Sequence, residues 1–440
     1  MDLKTLLEFF NQYFTLYAIF PGIMALGLYL TLKLNFVQLR QLKKSFICLT
    51  ERNLESEGNI SRFKAISTVL AGNFGTGNIS GMAIAISTGG PGALVWMWVM
   101  AFFGAAIQYA SCILGITYRT KNAAGEYVGG PMYYLRDGLG YNKLSAAFAV
   151  FTIFGAITVG NFAQTNSLLL PLQQMGFAPL PCSIVIAALI GIVILGGITR
   201  VASFASLVVP FKAVLYLGTA FIIVALHYDQ VPAALKLMFD HALGFSQIAG
   251  GVAGYGALKA LTTGFDRGVF ATDAGTGIVP ILQASARSQH PVMDGVASLI
   301  APFLVMIVCT TTGLVIILTG AWLDPTLQST NMVTYAFTKG LGSAIGGYIV
   351  IVALVLFAYT TLLAWSYCGE KAAEFLVGPK YARWFRYVYI ILVPVGGMLQ
   401  VDMIWTLADV SITLMLFINL IGITALSKYV IVTSREYQTA

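Results

Sequence analysis

Apolar residues occur in this 440-residue chain as long runs that charged residues seldom interrupt. Eleven runs approach the length of about 20 residues that a helix needs to cross the hydrocarbon core of a bilayer. They cover residues 11–32, 66–87, 91–118, 145–170, 181–198, 201–227, 247–265, 295–322, 345–369, 384–400 and 403–427, and are called spans 1 to 11 in that order. Such runs are too long and continuous for the strands of a membrane barrel. The pattern therefore predicts an all-α integral membrane protein.

The composition excludes a soluble protein. Hydrophobic residues make up 58% of the chain and charged residues only 10%, against roughly 25% charged in an average soluble domain. A surface with so little charge would not keep a soluble protein dispersed, so most of it must face lipid. The five cysteines are scattered singly, without histidines at the spacing of metal ligands, so we expect no structural metal and no cofactor.

Basic residues gather in alternate loops, as they do on the cytoplasmic side of membrane proteins. With the N-terminus outside and the C-terminus inside, 20 of the 25 lysines and arginines fall in inner loops, Arg267 and Arg287 among them. The net charge of +7 thus reflects membrane topology, and we expect no nucleic-acid partner. Lys212 in span 6 and Lys259 in span 7 either have a function or extend to the interface, which we favour for Lys259. Asp409 in span 11 has no partner that the sequence identifies.

The stretch 268–290 is apolar enough to count as a further span, but it contains Asp273 and Pro280 and is bracketed by basic residues. If it crossed the membrane, the basic residues after span 9 would lie outside the cell. We therefore expect a cytoplasmic or re-entrant helix after span 7, and one transmembrane domain over residues 1–440.

Span 2 contains four glycines, two asparagines, a threonine and a serine within residues 70–81. Each glycine costs a helix interior about 1 kcal/mol relative to alanine, and unpaired backbone groups in lipid cost more. In transporters, such broken helices offer their freed amides and carbonyls to substrate and ions. The alternative is close packing through Gly77 and Gly81, a small-xxx-small pattern. Two buried asparagines favour the broken helix, because packing has no use for amides.

A second glycine cluster, at residues 249–256 in span 7, suggests a matching interruption. If spans 2 and 7 each begin a unit of five helices, the units cover residues 62–227 and 247–427, and 11–32 is an extra N-terminal helix. Five is odd, so the second unit is inverted relative to the first. The Gly-Thr-Gly at 75–77 recurs at 275–277, which we interpret as coincidence because residue 275 is expected at the cytoplasmic edge.

Several motifs in the chain resemble those of the alanine/glycine:cation symporter family of amino-acid carriers. They are Gly75-Thr-Gly-Asn-Ile-Ser-Gly81, Gly89-Gly-Pro-Gly-Ala93, Gly129-Gly-Pro-Met-Tyr-Tyr134, Gly160-Asn-Phe-Ala-Gln-Thr-Asn166, Val209-Pro-Phe211 and Trp365-Ser-Tyr-Cys-Gly-Glu370. The resemblance implies a leucine-transporter-type fold, a five-plus-five inverted repeat. It also implies uptake of alanine, glycine or a related small amino acid, driven by Na⁺ or by H⁺ in some members. We expect a monomer in the plasma membrane of a prokaryotic cell, the inner membrane if the cell is Gram-negative.

The chain departs from the family where Phe270-Ala-Thr-Asp-Ala-Gly-Thr-Gly277 replaces Phe-Ser-Asn-Glu-Ala-Gly-Leu-Gly. The acid, Asp273, is one methylene shorter, and we expect it to help close the cytoplasmic gate. It would lie about 33 Å beyond Gly251 if the intervening chain were one helix, which makes it a poor candidate for a substrate ligand.

A small amino acid is a zwitterion, so its site needs donors for a carboxylate and acceptors for an ammonium. Amides at the start of the second half-helix of span 2 suit the carboxylate. Carbonyls of the two interruptions are candidates for the ammonium. The predicted donors are Thr76, Gly77 and Asn78, and the predicted acceptors are Asn73 with Gly250 or Gly251.

Four further positions are expected around the substrate and a sodium ion. Gln164 is a candidate hydrogen-bond partner of the substrate, unless it only bonds another helix. Trp365 would limit the size of the pocket, unless it is an ordinary core aromatic. By family likeness, Thr360 and Thr361 face the break in span 2, and their hydroxyls would bind Na⁺ there unless they bond to their own helix. The carbonyls of Ala71 and Phe74 complete the predicted Na⁺ ligands.

The sequence leaves other functions open. A carrier of the same fold for another solute, such as a nucleobase or sugar, is the first alternative. A channel needs a continuous pore, which two interrupted helices do not favour. A membrane enzyme needs paired acids, histidines or a metal motif within the membrane, and the sequence has none.

Overall fold

The chain folds almost entirely into helices, because only a helix satisfies the backbone of an isolated apolar run in lipid. The computed structural model describes residues 3–50, 57–244 and 253–439. Within them, the two-residue strands β1 (Thr120–Lys121) and β2 (Tyr127–Val128) form one antiparallel pair. The all-α prediction is confirmed.

The described residues before 245 form thirteen α-helices. They are α1 (Leu3–Phe14), α2 (Phe20–Lys33), α3 (Val37–Arg40), α4 (Leu42–Thr50), α5 (Arg62–Asn73), α6 (Ser80–Gly89), α7 (Ala93–Thr117), α8 (Pro131–Tyr133), α9 (Asn142–Gly155), α10 (Gln164–Gln174), α11 (Pro179–Ile194), α12 (Gly197–Leu226) and α13 (Val231–Ala242). Wider π-helical turns at Thr15–Ile19 and Ala156–Ala163 join α1 to α2 and α9 to α10.

Nine α-helices lie within residues 253–439, the last part of the chain that the structure describes. They are α14 (Ala253–Thr272), α15 (Ile278–Gln283), α16 (Pro291–Ser298), α17 (Ile300–Leu318), α18 (Ser329–Leu341), α19 (Ala344–Val377), α20 (Pro379–Ala382), α21 (Trp384–Met398) and α22 (Val401–Thr439). Each of the eleven predicted spans is helical over most of its described length. The helices α13 and α18 lie in segments that the sequence analysis assigned to loops.

Seven helical stretches in the described residues are long and apolar enough to cross a membrane. They are Lys4–Lys33, Ala93–Thr117, Asn142–Gln173, Gly197–Leu226, Pro291–Leu318, Ala344–Val377 and Met403–Tyr437. A shorter apolar helix spans Pro179–Ile194. A polytopic membrane protein follows from these helices.

The distribution of polar residues is that of a protein in lipid. On α12, Leu207 and Val214 are 76% and 74% exposed, whereas Lys212 is fully buried. Amides and acids such as Asn78, Gln164 and Asp273 are also buried. Apolar side chains thus face the surroundings, and polar side chains gather inside the helix bundle, where carriers bind their cargo.

The predicted break in span 2 is present. Helix α5 ends at Asn73, Gly75 is extended, Thr76–Asn78 form one 3-10 turn, and α6 begins at Ser80. The break is entirely buried.

The second break is not where the glycine cluster placed it. Residues 249–252 lie outside the described residues, but Ala253–Thr272 is one unbroken helix, so the prediction for residues 253–256 is wrong. The interruption instead falls at residues 273–277, where Asp273, Gly275 and Gly277 have φ of +50°, +86° and +92°. An α-helix cannot continue through left-handed residues.

This break changes the interpretation of residues 268–290. Their first five residues belong to α14, the break follows at residues 273–277, and α15 covers Ile278–Gln283. Gly275 therefore lies within a break, as Gly75 does, and the repeated Gly-Thr-Gly marks both interruptions.

The two broken helices run antiparallel. Near the start of α5, the amide of Asn59 donates to the carbonyl of Ser285, just beyond the end of α15. At the other end, Gly89 of α6 packs so closely on Thr263 of α14 that an added Cβ would lie 3.0 Å from the threonine Cβ. Both breaks consequently meet in the interior.

Candidate substrate site at two helix breaks

The two breaks are joined by side-chain amides. Asn73 donates from its amide to the carbonyl of Thr272 at 2.7 Å, which ties the end of α5 to the end of α14. Asn78 donates to the carbonyl of Asn73 at 2.6 Å and so closes the first break on itself. In the second break, Asn419 of α22 donates to the carbonyl of Gly275 at 2.7 Å. Buried amides thus satisfy carbonyls that the helices leave free.

A small cavity lies between the breaks. It leaves about 10 Å³ in which the centre of a water molecule can lie, which is room for roughly one water. Both breaks contribute to its wall, together with α5, α14, the π-helical turn before α10, α10 itself and α19. The lining residues are Gly72, Asn73, Gly75, Gly77, Val159, Gln164, Phe270, Asp273, Thr361 and Trp365.

Of the three predicted carboxylate donors, Thr76 is occupied by Gln164, and the main-chain amide of Asn78 donates to the carbonyl of Gly75. The amide and the hydroxyl of Thr76 both donate to the side-chain oxygen of Gln164, at 3.0 and 3.1 Å. Its side-chain nitrogen donates to the carbonyl of Val159 at 3.1 Å, across the π-helical turn before α10. Gln164 therefore hydrogen-bonds between helices, as one hypothesis for it held. It also lines the cavity, as a hydrogen-bond partner of the substrate would have to.

Two acceptors in the cavity wall have no hydrogen-bond partner among the described residues. They are Oδ1 of Asn73 and Oδ1 of Asp273, on side chains that are each 2% exposed. A buried acceptor left unpaired costs about 1–3 kcal/mol, so this pair is suited to a donor that arrives with a ligand. The main-chain carbonyl of Asn73, predicted to hold the ammonium, instead accepts from Asn78.

The expected position of Asp273 changes accordingly. Asp273 was placed at a cytoplasmic gate, far from the substrate, but it lies at the cavity because the second break begins with it. Gly250 and Gly251, the other predicted acceptors, lie outside the described residues.

Trp365 and Phe270 are the bulky groups of the cavity wall. Trp365 on α19 is 1% exposed and packs so tightly on Gly160 that an added Cβ there would lie 2.2 Å from the tryptophan Cβ. It is therefore both a core aromatic and a wall of the cavity. The ring of Phe270 packs against Trp405 of α22, with centroids 4.9 Å apart. Neither Phe270 nor Trp405 was a predicted site residue.

The oxygens predicted to bind Na⁺ are already hydrogen-bonded. Lys212 of α12 donates to the carbonyl of Phe74 at 2.9 Å and to the hydroxyl of Thr360. Thr360 also donates to carbonyls of its own helix, as the alternative hypothesis held. Thr361 instead reaches across to α5 and donates to the carbonyl of Ala71 at 2.9 Å. An ammonium therefore stands where the sequence analysis placed the sodium ion.

Beyond Phe270 the cavity is closed by an ion pair. Arg267 of α14 pairs with Asp409 of α22, the acid for which the sequence named no partner. The guanidinium also lies 5.4 Å from the ring of Phe270 and 5.3 Å from that of Trp405. Arg267 was assigned to an inner loop, which is wrong because α14 extends past it to Thr272.

At the opposite end of the two broken helices, where α5 begins, polar contacts hold α15 in place. Arg119 donates to the carbonyl of Ala286 at 2.7 Å, and the hydroxyls of Ser285 and Tyr367 lie 2.7 Å apart. Every residue that lines the cavity is buried, so the cavity is closed at both ends.

Beside this end, Lys371 donates to Glu126 at 2.8 Å. Burial alone would raise the pKa of the Glu126 carboxyl, but its bonds from Lys371 and Asn122 hold that pKa below its ordinary value. The stabilisation from this carboxylate is present above its unfolded-state pKa and is lost as the pH falls through its lowered pKa.

Comparisons with known proteins agree with this architecture. A crystal structure of a manganese transporter from Eremococcus coleocola covers 80% of this chain and 75% of its own, with a TM-score of 0.51 and 14% identity, which indicates a shared fold. The sodium/alanine symporter AgcS of Methanococcus maripaludis is 39% identical, over 93% of this chain and 92% of its own. The probable sodium/glutamine symporter GlnT of Bacillus subtilis is 35% identical, over 94% and 86%. The profile of the sodium:alanine symporter family matches residues 1–440. The chain therefore belongs to the sodium:alanine symporter family, a family of membrane transporters and not of enzymes.

Proposed function

We propose that this protein imports a small neutral amino acid, alanine or glycine, together with a cation by alternating access. The proposal rests on one observation: two unpartnered acceptors line the cavity at the helix breaks, and buried donors of Thr76, between the lining residues Gly75 and Gly77, lie beside them. Thr76 supplies an amide and a hydroxyl, and Asn73 and Asp273 each supply an oxygen without a partner.

This set of groups complements a zwitterion. A carboxylate that displaced the side-chain oxygen of Gln164 would receive the two hydrogen bonds of Thr76, and a charged acceptor receives stronger bonds than a neutral one. An ammonium near Asn73 and Asp273 would supply the donors that both oxygens lack. A nucleobase or sugar has no such pair of opposite charges, so the cavity favours an amino acid over these solutes.

The bulk around the cavity favours the smallest side chains. The relatives' names include both alanine and glutamine. Trp365 and Phe270 leave room for about one water, so even alanine requires some side chains to shift, and glutamine requires a larger rearrangement. We therefore place alanine and glycine ahead of glutamine.

The antiparallel broken helices support the five-plus-five inverted repeat, with residues 62–227 and 247–427 as its units and 11–32 as an added helix. Arg119 and Arg287 lie at the α5 end, which supports placing that end in the cytoplasm and the N-terminus outside. A cavity closed at both ends suits alternating access and does not suit the continuous pore of a channel. We place the protein, as a monomer, in a prokaryotic plasma membrane, because the relatives compared are bacterial and archaeal.

The test is uptake of labelled alanine into proteoliposomes that contain the purified protein. Alanine is neutral overall, so each cation that moves with it, Na⁺ or H⁺, carries one charge inward. A potential of 100 mV, negative inside, then contributes about 2.3 kcal/mol, or roughly 40-fold accumulation. We expect saturable uptake that this potential stimulates and that glycine inhibits. Efficient inhibition by glutamine and not by glycine would identify glutamine as the substrate in place of alanine. No uptake of any amino acid would disprove the proposal.

A further inference from the structure

Lys212 is a fully buried lysine in the middle of α12, directly beside the first helix break. Its amine donates to the carbonyl of Phe74, the residue that follows the last residue of α5, and to the hydroxyl of Thr360 on α19. One side chain thus joins three helices at the point where the α5 backbone is interrupted.

The surroundings of this amine are those of a cation. Its nitrogen lies 4.6 Å from the ring centroid of Phe357 and 5.7 Å from that of Phe74, and the two rings are stacked 5.9 Å apart. Aromatic faces attract an ammonium, most strongly when water is excluded. The amine also lies at the C-terminal end of α5, where the helix dipole favours a positive charge. Across the described residues, Lys212 makes no ion pair with an acid.

The same oxygens do not fit Na⁺ while Lys212 is present. A sodium ion would need the Phe74 carbonyl and the Thr360 hydroxyl, and both accept hydrogen bonds from the ammonium. The Ala71 carbonyl accepts from Thr361. A second cation at this position would displace these bonds and meet a like charge within a few ångströms, in an interior that screens charge poorly.

We propose that the ammonium of Lys212 takes the place of a sodium ion at the first helix break, so that amino-acid binding needs no Na⁺ at this position. The statement about amino-acid binding rests on the proposed function. The covalently attached charge neutralises the end of α5 and holds the break to α12 and α19, which is what a bound Na⁺ would otherwise do. Of the two coupling ions considered, Na⁺ is thereby disfavoured at these oxygens.

The closing experiment measures thermal stability and alanine binding of the purified protein in sodium chloride and in choline chloride of equal ionic strength. It compares the parent with Lys212→Ala, which uncovers the oxygens, and with Lys212→Met, which removes the charge but retains most of the bulk. Lys259→Ala is the matched control, because it removes a partly buried lysine of α14 that does not line the cavity.

In the parent and in Lys259→Ala, we expect the dissociation constant of alanine to differ by less than about twofold between the salts. In choline, Lys212→Ala and Lys212→Met should bind alanine at least about tenfold more weakly than the parent. Na⁺ should stabilise Lys212→Ala against heat, because the uncovered oxygens bind it, and should stabilise the parent no more than choline does.

Two results would overturn the proposal. One is a parent that requires Na⁺ for alanine binding and loses that requirement in Thr360→Val. The other is a Lys212→Ala variant that binds alanine in choline as tightly as the parent. If the parent binds no amino acid in either salt, the proposed function fails, and the thermal measurement, which needs no amino acid, still decides whether Lys212 replaces Na⁺.

Discussion

The side-chain oxygen of Gln164 lies 3.0 Å from the amide nitrogen of Thr76, so a carboxamide occupies the position at the first break that suits a substrate carboxylate. The glutamine satisfies donors that would otherwise be buried and unpaired. A substrate must displace this oxygen, after which the same side chain can present its amide nitrogen to the carboxylate. Gln164 in the empty cavity and the carboxylate of a bound substrate thus compete for the same two donors of Thr76.

This competition predicts weaker alanine binding in two variants of Gln164, to different degrees. Gln164→Ala should raise the half-saturating alanine concentration by about fivefold, because it removes one donor worth roughly 1 kcal/mol. Gln164→Glu should weaken binding more, since its carboxylate occupies the Thr76 donors more firmly and repels the substrate carboxylate. Binding titrations and thermal unfolding of both variants test this. If Gln164→Ala unfolds more easily but binds alanine as the parent does, the glutamine is only a structural link.

A second prediction concerns the charge of Asp273. Asp273→Asn keeps the shape of the side chain but removes the negative charge, so an ammonium should bind about tenfold or more weakly. Propionate, which has the carboxylate and methyl group of alanine without the amine, should compete poorly with alanine in the parent. It should compete relatively better in Asp273→Asn.

The matched control is Asp324→Asn, which neutralises an aspartate in an exposed turn after α17 and should leave binding unchanged. Unaltered alanine affinity in Asp273→Asn, with a slower transport cycle, would return Asp273 to the role of a gate.

How far the sequence predicts this site depends on whether the signal is local. The first break could be predicted because its glycines and asparagines interrupt an apolar run at residues 70–81. The second was misplaced because glycine alone does not end a helix: α14 is continuous through Gly256, whereas left-handed Asp273 and Gly275 end it. The repeated Gly-Thr-Gly was the informative signal.

Contacts between helices that are far apart in the chain could not be predicted from the sequence. The position of Lys212 depends on how α12 crosses α5 and α19, and the pairing of Arg267 with Asp409 depends on how α14 meets α22. Neither relation leaves a periodic pattern in the chain. For that reason the sequence singled out Asn73, Gly77, Gln164 and Trp365 of the cavity wall but left the charges around it without partners.

The third prediction concerns substrate size. Trp365→Leu shortens one wall of the cavity and should admit glutamine or leucine as competitors of labelled alanine, while alanine itself binds more weakly. Because the tryptophan also packs on Gly160, we expect a loss of stability of a few kcal/mol, so competition is measured on the fraction that remains monodisperse. An unchanged order of competitors would assign Trp365 to packing alone.

The last prediction separates a broken-helix site from simple helix packing at Gly77 and Gly81. A Cβ added to Gly77 would lie 2.6 Å from the ring of Phe270, which Trp405 supports from behind, whereas one added to Gly81 meets nothing within 4 Å. Gly77→Ala should therefore displace Phe270 in the cavity wall. It should lower the free energy of unfolding by about 1–3 kcal/mol and abolish most alanine uptake. Gly81→Ala should be tolerated, or stabilise α6 by up to about 1 kcal/mol. Thermal unfolding and uptake of the two variants decide the matter, since a small-xxx-small contact through both glycines requires both substitutions to be harmful.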